Sequence, residues 1–218
     1  MGEKNKKHIL RKILFVIFIV FIIFFILTLR KVIIFNKIEN VSKDKLDSVN
    51  YYIERISIQG NSTMMMKSYN KDNNYFTEIK TFLFSTDEKR ELVMYQKDND
   101  QISIMQSDEN KIAYTNQNLL NPGSLKLMSL NAVNDMKLWQ KLLVAATSRI
   151  TSEKCNNKEC YLVEPAKEWK LWIDKETGLV VREINGSLLQ DSYYKFNEVT
   201  DEDIVKPDIS DCKIIENN

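Results

Sequence analysis

The sequence predicts an α+β protein in which an N-terminal transmembrane helix carries an antiparallel β domain packed on one main helix. Residues 13–29 form the most apolar stretch of the chain, with Thr28 as the single polar side chain. From residue 50 onward, apolar residues recur at every second position in short runs that Asn, Asp and Gly separate, which is typical of antiparallel strands. Residues 134–148 show the apolar spacing of a helix, and they are the one long helical pattern in this outer part.

The apolar run Ile13–Leu29 has the length of a membrane span. At about 1.5 Å of rise per residue it covers roughly 25 Å, close to the thickness of the hydrocarbon core of a bilayer. Residues 30–35 extend the span if the side chains of Arg30 and Lys31 snorkel to the interface. Neither a small-residue cleavage site nor a lipid-attachment cysteine follows the run. We therefore expect an uncleaved signal anchor rather than a cleaved signal peptide or a lipoprotein anchor.

The charge distribution orients this anchor and excludes one class of partner. Five of the first twelve residues are basic, and basic residues accumulate on the cytoplasmic side of a membrane, so we expect the N-terminus inside. Residues 1–35 carry seven basic residues and one acidic residue, a net charge of +6, which leaves −5 for the remainder of a chain whose net charge is +1. An acidic outer domain argues against nucleic acid as a partner.

These observations divide the chain into five parts. We expect a cytoplasmic tail (1–12), a transmembrane signal anchor (13–35), a juxtamembrane stalk or short helix (36–49), an extracytoplasmic domain (50–212) and a C-terminal tail (213–218). The protein is thus expected in the cell membrane, as a single-pass protein with its folded domain outside.

The outer domain is predicted to contain about ten short strands. Turn signals such as Gly60-Asn61-Ser62 and the Asn- and Asp-rich segments KDNN and KDND separate them. On the first strand, Tyr52, Ile56 and Ile58 share one face.

The helix predicted over residues 134–148 can be capped by Asn134 or Asp135. Its apolar stripe must be buried, most simply against the concave face of the sheet. The stripe comprises Leu138, Trp139, Leu142, Leu143, Ala145 and Ala146.

The sequence predicts no enzyme, metal or cofactor. His8 is the only histidine and lies before the anchor, so the outer domain lacks a histidine base and a histidine ligand. The chain has five glycines and no glycine-rich phosphate loop. Asp174 and Glu176 fall in a hairpin turn, where they are better explained as turn formers than as a catalytic carboxylate pair. The acidic residues near Asp203 lack the spacing of a calcium loop.

The cysteine spacing predicts a disulfide between Cys155 and Cys160. These residues flank the segment NNKE, which is typical of a four-residue turn between two strands, and cross-strand neighbours lie close enough for a disulfide. An extracytoplasmic compartment lets such a bond persist. Cys212 is then either a free thiol or the true partner of one of the two.

Methionine and aromatic residues are frequent among the apolar side chains, and two interpretations fit them. They fill the core between sheet and helix, or they line an apolar cavity for a lipid or acyl chain, since methionine is common at adaptable apolar surfaces. The residues predicted to line such a cavity are Ile56, Ile58, Met64, Met66, Met94, Ile104, Leu138 and Leu142.

The segment EWKLWIDKETGLVVREI (168–184), followed by YYKFNEVTDEDIVKP (193–207), resembles the C-terminal half of the lipoprotein-carrier superfamily, the LolA/LolB-like and RseB-like half-barrels. The resemblance is sharpest over these two segments. It implies a strongly curved, unclosed antiparallel β-barrel wrapped around helices, with an interior that can take up a lipid or a lipoprotein acyl chain. The chain resembles membrane-anchored members from Gram-positive bacteria, and the resemblance assigns no individual ligand-binding residue.

Together these observations predict a membrane-anchored extracytoplasmic binding protein of the LolA-like class, which holds a lipid or other apolar ligand, or an envelope partner. The alternative is a sensory or regulatory envelope protein. A cytoplasmic tail of twelve residues is too short for a signalling domain, so such a protein must act through another membrane protein.

Overall fold

A computed structural model describes residues 3–46, 48–107, 110–116 and 137–216 of the chain. One long helix, α1, precedes six strands, a second helix, α2, and six further strands. The helices are α1 (Glu3–Leu46) and α2 (Leu138–Thr147). The strands are β1 (Asn50–Gln59), β2 (Ser62–Lys71), β3 (Asn74–Leu83), β4 (Glu88–Lys97), β5 (Asp100–Ser107), β6 (Asn110–Thr115), β7 (Arg149–Cys155), β8 (Lys158–Ala166), β9 (Trp169–Asp174), β10 (Val180–Asn185), β11 (Leu188–Phe196) and β12 (Lys213–Glu216).

All twelve described strands form one sheet in the order β12-β6-β5-β4-β3-β2-β1-β11-β10-β9-β8-β7. Two antiparallel meanders, β1–β6 and β7–β11, are joined at the centre by the antiparallel pair of β1 and β11. β12 adds to β6 in the parallel direction. The edge strands β12 and β7 are not neighbours, so the sheet is an unclosed half-barrel, and the predicted α+β class is confirmed. β12 falls in the stretch that the sequence analysis assigned to a tail.

Asparagine and aspartate form the turns of these meanders. Among the described residues, every non-glycine residue with a positive φ is Asp or Asn. These two residue types tolerate the left-handed conformation that tight hairpins require, because their short side chains bond to nearby backbone. They are Asp72, Asp87, Asp98, Asn116, Asn156, Asn157 and Asn197.

Helix α1 is both the apolar N-terminal helix and the main core helix. Residues 36–46 continue it without a break. The side chains of residues 13–27 are exposed, whereas Val32, Phe35 and Ile38, at helical spacing, are buried in one cluster with side chains from β8 to β10. Residues Arg11–Lys43 of α1 are long and apolar enough to cross a membrane, judged by length and composition. We call the sheet face against which α1 packs the helix face.

The turn between β9 and β10 brings the sheet backbone into direct contact with α1. Gly178 has φ +68°, and a Cβ at this position would lie 2.6 Å from the carbonyl oxygen of Ile38 and 2.8 Å from the backbone nitrogen of Ser42. Glycine is therefore required here both for the left-handed conformation and for the close approach of the helix.

The C-terminal segment covers part of the opposite face of the sheet. Val199 and Ile204 are buried in a cluster with Ile102 and Ile104. The side-chain amide of Asn50 fixes this segment, because it donates to the Val199 carbonyl at 2.9 Å and accepts from the Val199 N–H at 3.0 Å. The half-barrel therefore has a second apolar layer on the side away from α1.

Helix α2 packs mainly on α1, and the apolar stripe predicted for it is only partly buried. Leu138, Trp139 and Leu143 are each more than 60% exposed, whereas Lys141 and Ala145 are buried. The reason is a polar contact with α1. The Lys141 ammonium donates to the carboxylate of Glu39 and, at 3.1 Å, to Oδ1 of Asn36. This contact fixes the helix in a rotation that turns Leu138, Trp139 and Leu143 outward, while Leu142, Val144 and Ala145 pack on the core.

Both ends of α2 are fixed by hydrogen bonds. At the start, the Lys137 N–H donates to the side-chain oxygen of Gln140 at 2.8 Å. At the end, the Lys31 ammonium of α1 donates to the Ser148 carbonyl at 2.6 Å. The predicted capping residues, Asn134 and Asp135, lie outside the described residues.

Candidate functional site

The interior of the half-barrel is divided between a packed part and a groove. Where β8, β9 and β10 face α1, the side chains of Phe35, Val163 and Leu171 are almost completely buried against one another. Farther along the same face, β3 to β6 carry a groove of about 510 Å³. Its apolar lining consists of Ile79, Leu92, Met105, Ile112 and Tyr114.

The groove follows one row of the sheet. Antiparallel registers place Ile79 opposite Leu92, Leu92 opposite Met105, and Met105 opposite Ile112. The same row continues inward, since Ile79 lies opposite Met66, and Met66 lies opposite Arg55 on β1. Residues in register point to the same face of a sheet. An unbroken apolar row thus runs from the open side of the half-barrel to a buried arginine.

The structure brings only some of the predicted cavity residues together. Met66 and Met94 are buried on the helix face, and Met64 is half-buried on that face. Ile104 lies on the opposite face, under the C-terminal segment.

Ile56 and Ile58 are corrections to the predicted cavity. They lie on the opposite face, about 40% exposed, because the alternate set on β1, which includes Ile53, is the set buried on the helix face with Leu179 and Tyr194. Leu138 and Leu142 are on α2, where Leu138 is exposed and Leu142 packs beside α1.

Hydroxyl side chains occupy helix-face positions where an apolar core was expected. Ser68 and Thr77 share a buried hydrogen bond of 2.7 Å across β2 and β3. Ser103 on β5 is also fully buried. These buried side chains are smaller than leucine or isoleucine and lie in the sheet next to the groove.

The groove-lining residues were missed because each contributes one position to a row that crosses four strands. Within a single strand their alternation does not distinguish them from the opposite face, which also carries apolar residues such as Ile102. The turns at Asp72 and Asp98 could have identified the row, since a two-residue hairpin fixes the register of its strands. Counting outward from those turns aligns Met66 with Ile79.

The predicted disulfide residues lie in one cluster on the face opposite α1. Cys155 and Cys160 are buried free thiols beside Val181. The turn is Asn156-Asn157, two residues rather than four, so Cys155 pairs with Lys158 and the two thiols are diagonal neighbours. Burial raises the pKa of both thiols, that of Cys160 to about 11. The disulfide itself stays a prediction.

Asp174 organises the turn that contacts α1. Its carboxylate is buried and accepts from the Lys158 ammonium at 2.8 Å, the Glu176 N–H at 2.9 Å and the Thr177 hydroxyl at 3.0 Å. Burial alone would raise the pKa of Asp174, but the hydrogen bonds and the Lys158 charge outweigh burial, and the pKa lies below its ordinary value. This geometry fits a turn former, since all the contacts of the carboxylate hold the loop that carries Gly178.

A metal centre has no counterpart among the described residues, which contain no group of three or more His, Cys, Asp or Glu side chains placed to hold an ion.

Comparisons with known proteins give a distant likeness in shape. No protein-family model matches the sequence, and no curated protein is similar to it. The structure is similar to MucB, with 11% identity over 83% of this chain and 63% of MucB, and a TM-score of 0.38. An uncharacterized conserved protein from Thermus thermophilus has 9% identity over 84% of this chain and 98% of its own, with a TM-score of 0.43. In the MucA/MucB complex of Pseudomonas aeruginosa, the matching chain has 8% identity over 83% of this chain and 61% of its own, with a TM-score of 0.33. This chain thus spans less than two thirds of MucB, and likeness at this level carries no function.

Proposed function

We propose that this chain is a membrane-anchored extracytoplasmic binding protein of the LolA-like class, and that it holds a lipid or another apolar ligand in the helix-face groove. The observation that carries the proposal is the groove itself. Its volume of about 510 Å³ lies in the range of small-molecule sites. Its lining combines the apolar row with polar residues at its rim such as Arg90 and Glu91, and Met105 is half-exposed and available for contact. The exposed apolar residues 13–27 of α1 supply the anchor.

The division of the interior supports this proposal. α1 fills the helix face above β8 to β10, so the half-barrel does not need a ligand to bury its core there. Above β3 to β6 the same face keeps an apolar row with space over it. A ligand can therefore enter and leave the groove while the packed part of the domain keeps its fold.

The test uses the full chain in nanodiscs and a fatty alcohol that carries a photoreactive diazirine. We expect crosslinks on peptides from β3 to β6, with crosslinks on residues 13–29 as an internal standard for probe in the bilayer. Met105→Glu places a charge in the groove and should abolish the strand crosslinks. Met65→Glu is the control for the opposite face, because Met65 is similarly exposed and lines a second groove of similar volume there; crosslinks lost only in this variant would oppose the proposal.

Two other outcomes also oppose the proposal. Crosslinks confined to residues 13–29 in the unmodified protein would mean that the groove takes no apolar ligand. An equal loss of strand crosslinks in Met105→Glu and Met65→Glu would mean that a charge on either face disturbs the fold, so the groove would not be the site. Mass spectrometry of organic extracts of the purified chain then identifies any lipid that accompanies it.

The second candidate function is regulation of another membrane protein, and the continuity of α1 favours it. The helix that enters the core at Phe35 is the same helix that carries the apolar run. Lys31 and Glu39 bind α2 directly above this run. A change in the domain can thus reach the membrane through a rigid helix without an intervening linker.

Co-purification separates the two functions. If the protein regulates a partner, gentle solubilisation of membranes should yield a membrane or envelope protein in a stoichiometric complex, and Lys141→Ala should weaken that complex by loosening α2. Recovery of the chain alone, with lipid in the groove, would support the binding protein and oppose the regulator.

A further inference from the structure

Arg55 is a buried cation on the helix face of β1. Its side chain is only 4% exposed. The Nε–H donates to the Ser192 hydroxyl at 3.4 Å, a long contact with a neutral acceptor. Nη2 is buried and has no acceptor among the described residues. Within the described part of the chain, no carboxylate forms an ion pair with this guanidinium.

A guanidinium of this kind is costly for the fold. Arginine stays protonated in proteins and presents five N–H donors. A buried charge without a counter-ion is strongly destabilising, and an unsatisfied buried donor adds to that cost. Natural proteins depart from such rules mainly at functional sites. Arg55 therefore calls for an acceptor that the described residues do not supply.

The position of Arg55 identifies the chemistry of that acceptor. Arg55 is the inner end of the row that continues through Met66 into the groove and ends at Ile112. Five strand spacings of about 4.8 Å make this row roughly 24 Å long. One leaflet of a bilayer has about 15 Å of hydrocarbon, so the row is long enough for an acyl chain. It combines an apolar track with a cation at one end.

Building on the binding function proposed above, we propose that Arg55 binds the anionic head group of an amphiphile whose hydrocarbon chain lies along the row toward Ile112. A carboxylate or a phosphate matches the fork of the guanidinium and provides charge-assisted hydrogen bonds. Met66 separates Arg55 from the open groove and is itself buried. Its unbranched side chain is adaptable, so Met66 is the residue that moves when the ligand enters.

The test compares head groups at constant chain length. Full-length protein in phosphatidylcholine nanodiscs is labelled with three diazirine probes: a fatty acid, the corresponding fatty alcohol and a lysophosphatidate. We expect the better anionic probe to label β2 to β6 with about 10- to 100-fold higher affinity than the alcohol, the size of a charged hydrogen-bond contribution. Preference for the acid identifies a fatty-acid ligand, and preference for the lysophosphatidate identifies a phospholipid-derived one.

Arg55→Met removes the charge and keeps an unbranched, flexible side chain, although a shorter one. We expect it to reduce the affinity for the anionic probe to that for the alcohol. Arg149→Met, which removes an exposed arginine from β7, should leave the affinity unchanged. After delipidation, Arg55→Met should also unfold at a higher temperature than the unmodified protein, because it removes an unpaired buried charge.

The outcomes separate this inference from the proposed function. If no probe labels the strands, the binding function fails and the inference fails with it. If acid, lysophosphatidate and alcohol bind equally, before and after Arg55→Met, the groove remains the binding site and the proposed role of Arg55 in binding the head group is wrong. If Arg55→Met destabilises the delipidated protein and leaves the affinities unchanged, Arg55 is a structural residue.

Discussion

Gly178 provides the most direct test of how the domain holds α1. Alanine at this position adds one carbon atom, which would stand 2.6 Å from the Ile38 carbonyl oxygen and 2.9 Å from the Ser42 Cβ. Ordinary contacts begin at 3.4 Å, so the helix and the turn must separate by roughly 0.8 Å. α1 is also bound to α2 through Lys31 and Glu39, so little of this displacement can be absorbed without loss of packing.

The cost of Gly178→Ala has two parts. The left-handed φ of +68° costs an L-residue about 1–2 kcal/mol. The clash with α1 is an overpacking of the kind that costs about 1–3 kcal/mol. We therefore expect the free energy of unfolding to fall by about 2–5 kcal/mol.

Two other glycines separate the cost of the clash with α1 from the cost of the backbone conformation. Gly60 and Gly186 also have positive φ, at +55° and +57°, but an added Cβ at either position meets nothing within 4 Å. Their alanine variants should lose only the backbone part, about 1–2 kcal/mol. The gain from restricting the unfolded chain is common to all three substitutions and cancels in the comparison.

The assay is denaturant unfolding of the full chain in micelles, followed by tryptophan fluorescence, together with hydrogen exchange of the α1 amides. Gly178→Ala should lower the free energy of unfolding by about 1–3 kcal/mol more than either control does, and it should speed hydrogen exchange over residues 36–46. If Gly178→Ala and Gly186→Ala cost the same, within about 0.5 kcal/mol, the turn does not clamp the helix and the reasoning is wrong.

Further predictions concern the other contacts of α1 and the buried polar groups. Lys141→Ala should cost about 2–3 kcal/mol, since it removes charge-assisted hydrogen bonds to α1, and should increase proteolysis within α2. The pKa of Asp174 is lowered in the folded protein, so its charge stabilises the fold above the ordinary carboxyl pKa, and this stability is lost as pH falls through the folded pKa. The free energy of unfolding, measured across the acid range, should therefore depend less on pH in Asp174→Asn. Cys160, whose pKa burial raises to about 11, should resist alkylation at neutral pH in the folded protein, and peptide mapping without reductant tests whether it forms the predicted disulfide. Deletion of residues 1–30 should leave a folded domain, whereas deletion of residues 1–46 should unfold it, as circular dichroism would report, because only the second removes the core side chains Val32, Phe35 and Ile38.

Local chemistry made most of the sheet predictable. Turns such as Asp72-Asn73 carry their own conformational preference, and the strands between them alternate at a period of two. Because a meander pairs neighbours in sequence, the order of β1 to β6 follows from the turns alone. The parallel pairing of β12 with β6 has no such local signal, since Ile214 pairs with Ala113 about one hundred residues away.

The candidate site was less predictable because both faces of the sheet are apolar in places. Tyr51 and Tyr52, on opposite faces of β1, look equivalent in the sequence. Which face takes the helix depends on α1, whose core residues follow a membrane-like run and read as part of an anchor. The sequence singles out Met66 and Met94 because methionine is conspicuous, whereas Met105 lines the groove only because of its place in the row.

The partly wrong prediction for α2 has a physical cause that also explains the domain. Apolar periodicity assumes that a helix buries its most apolar side, and for Leu138 and Trp139 that assumption fails. A single lysine overrides it, because the Lys141 ammonium can reach Glu39 only if the helix turns the charged side toward α1. The face that α1 presents there is polar because Val32, Phe35 and Ile38 bury its apolar side against the sheet. Because α1 serves as both anchor and core, it determines which residues of α2 stay exposed. If the protein regulates a membrane partner, as in the second candidate function, these exposed residues are a surface that the partner can bind.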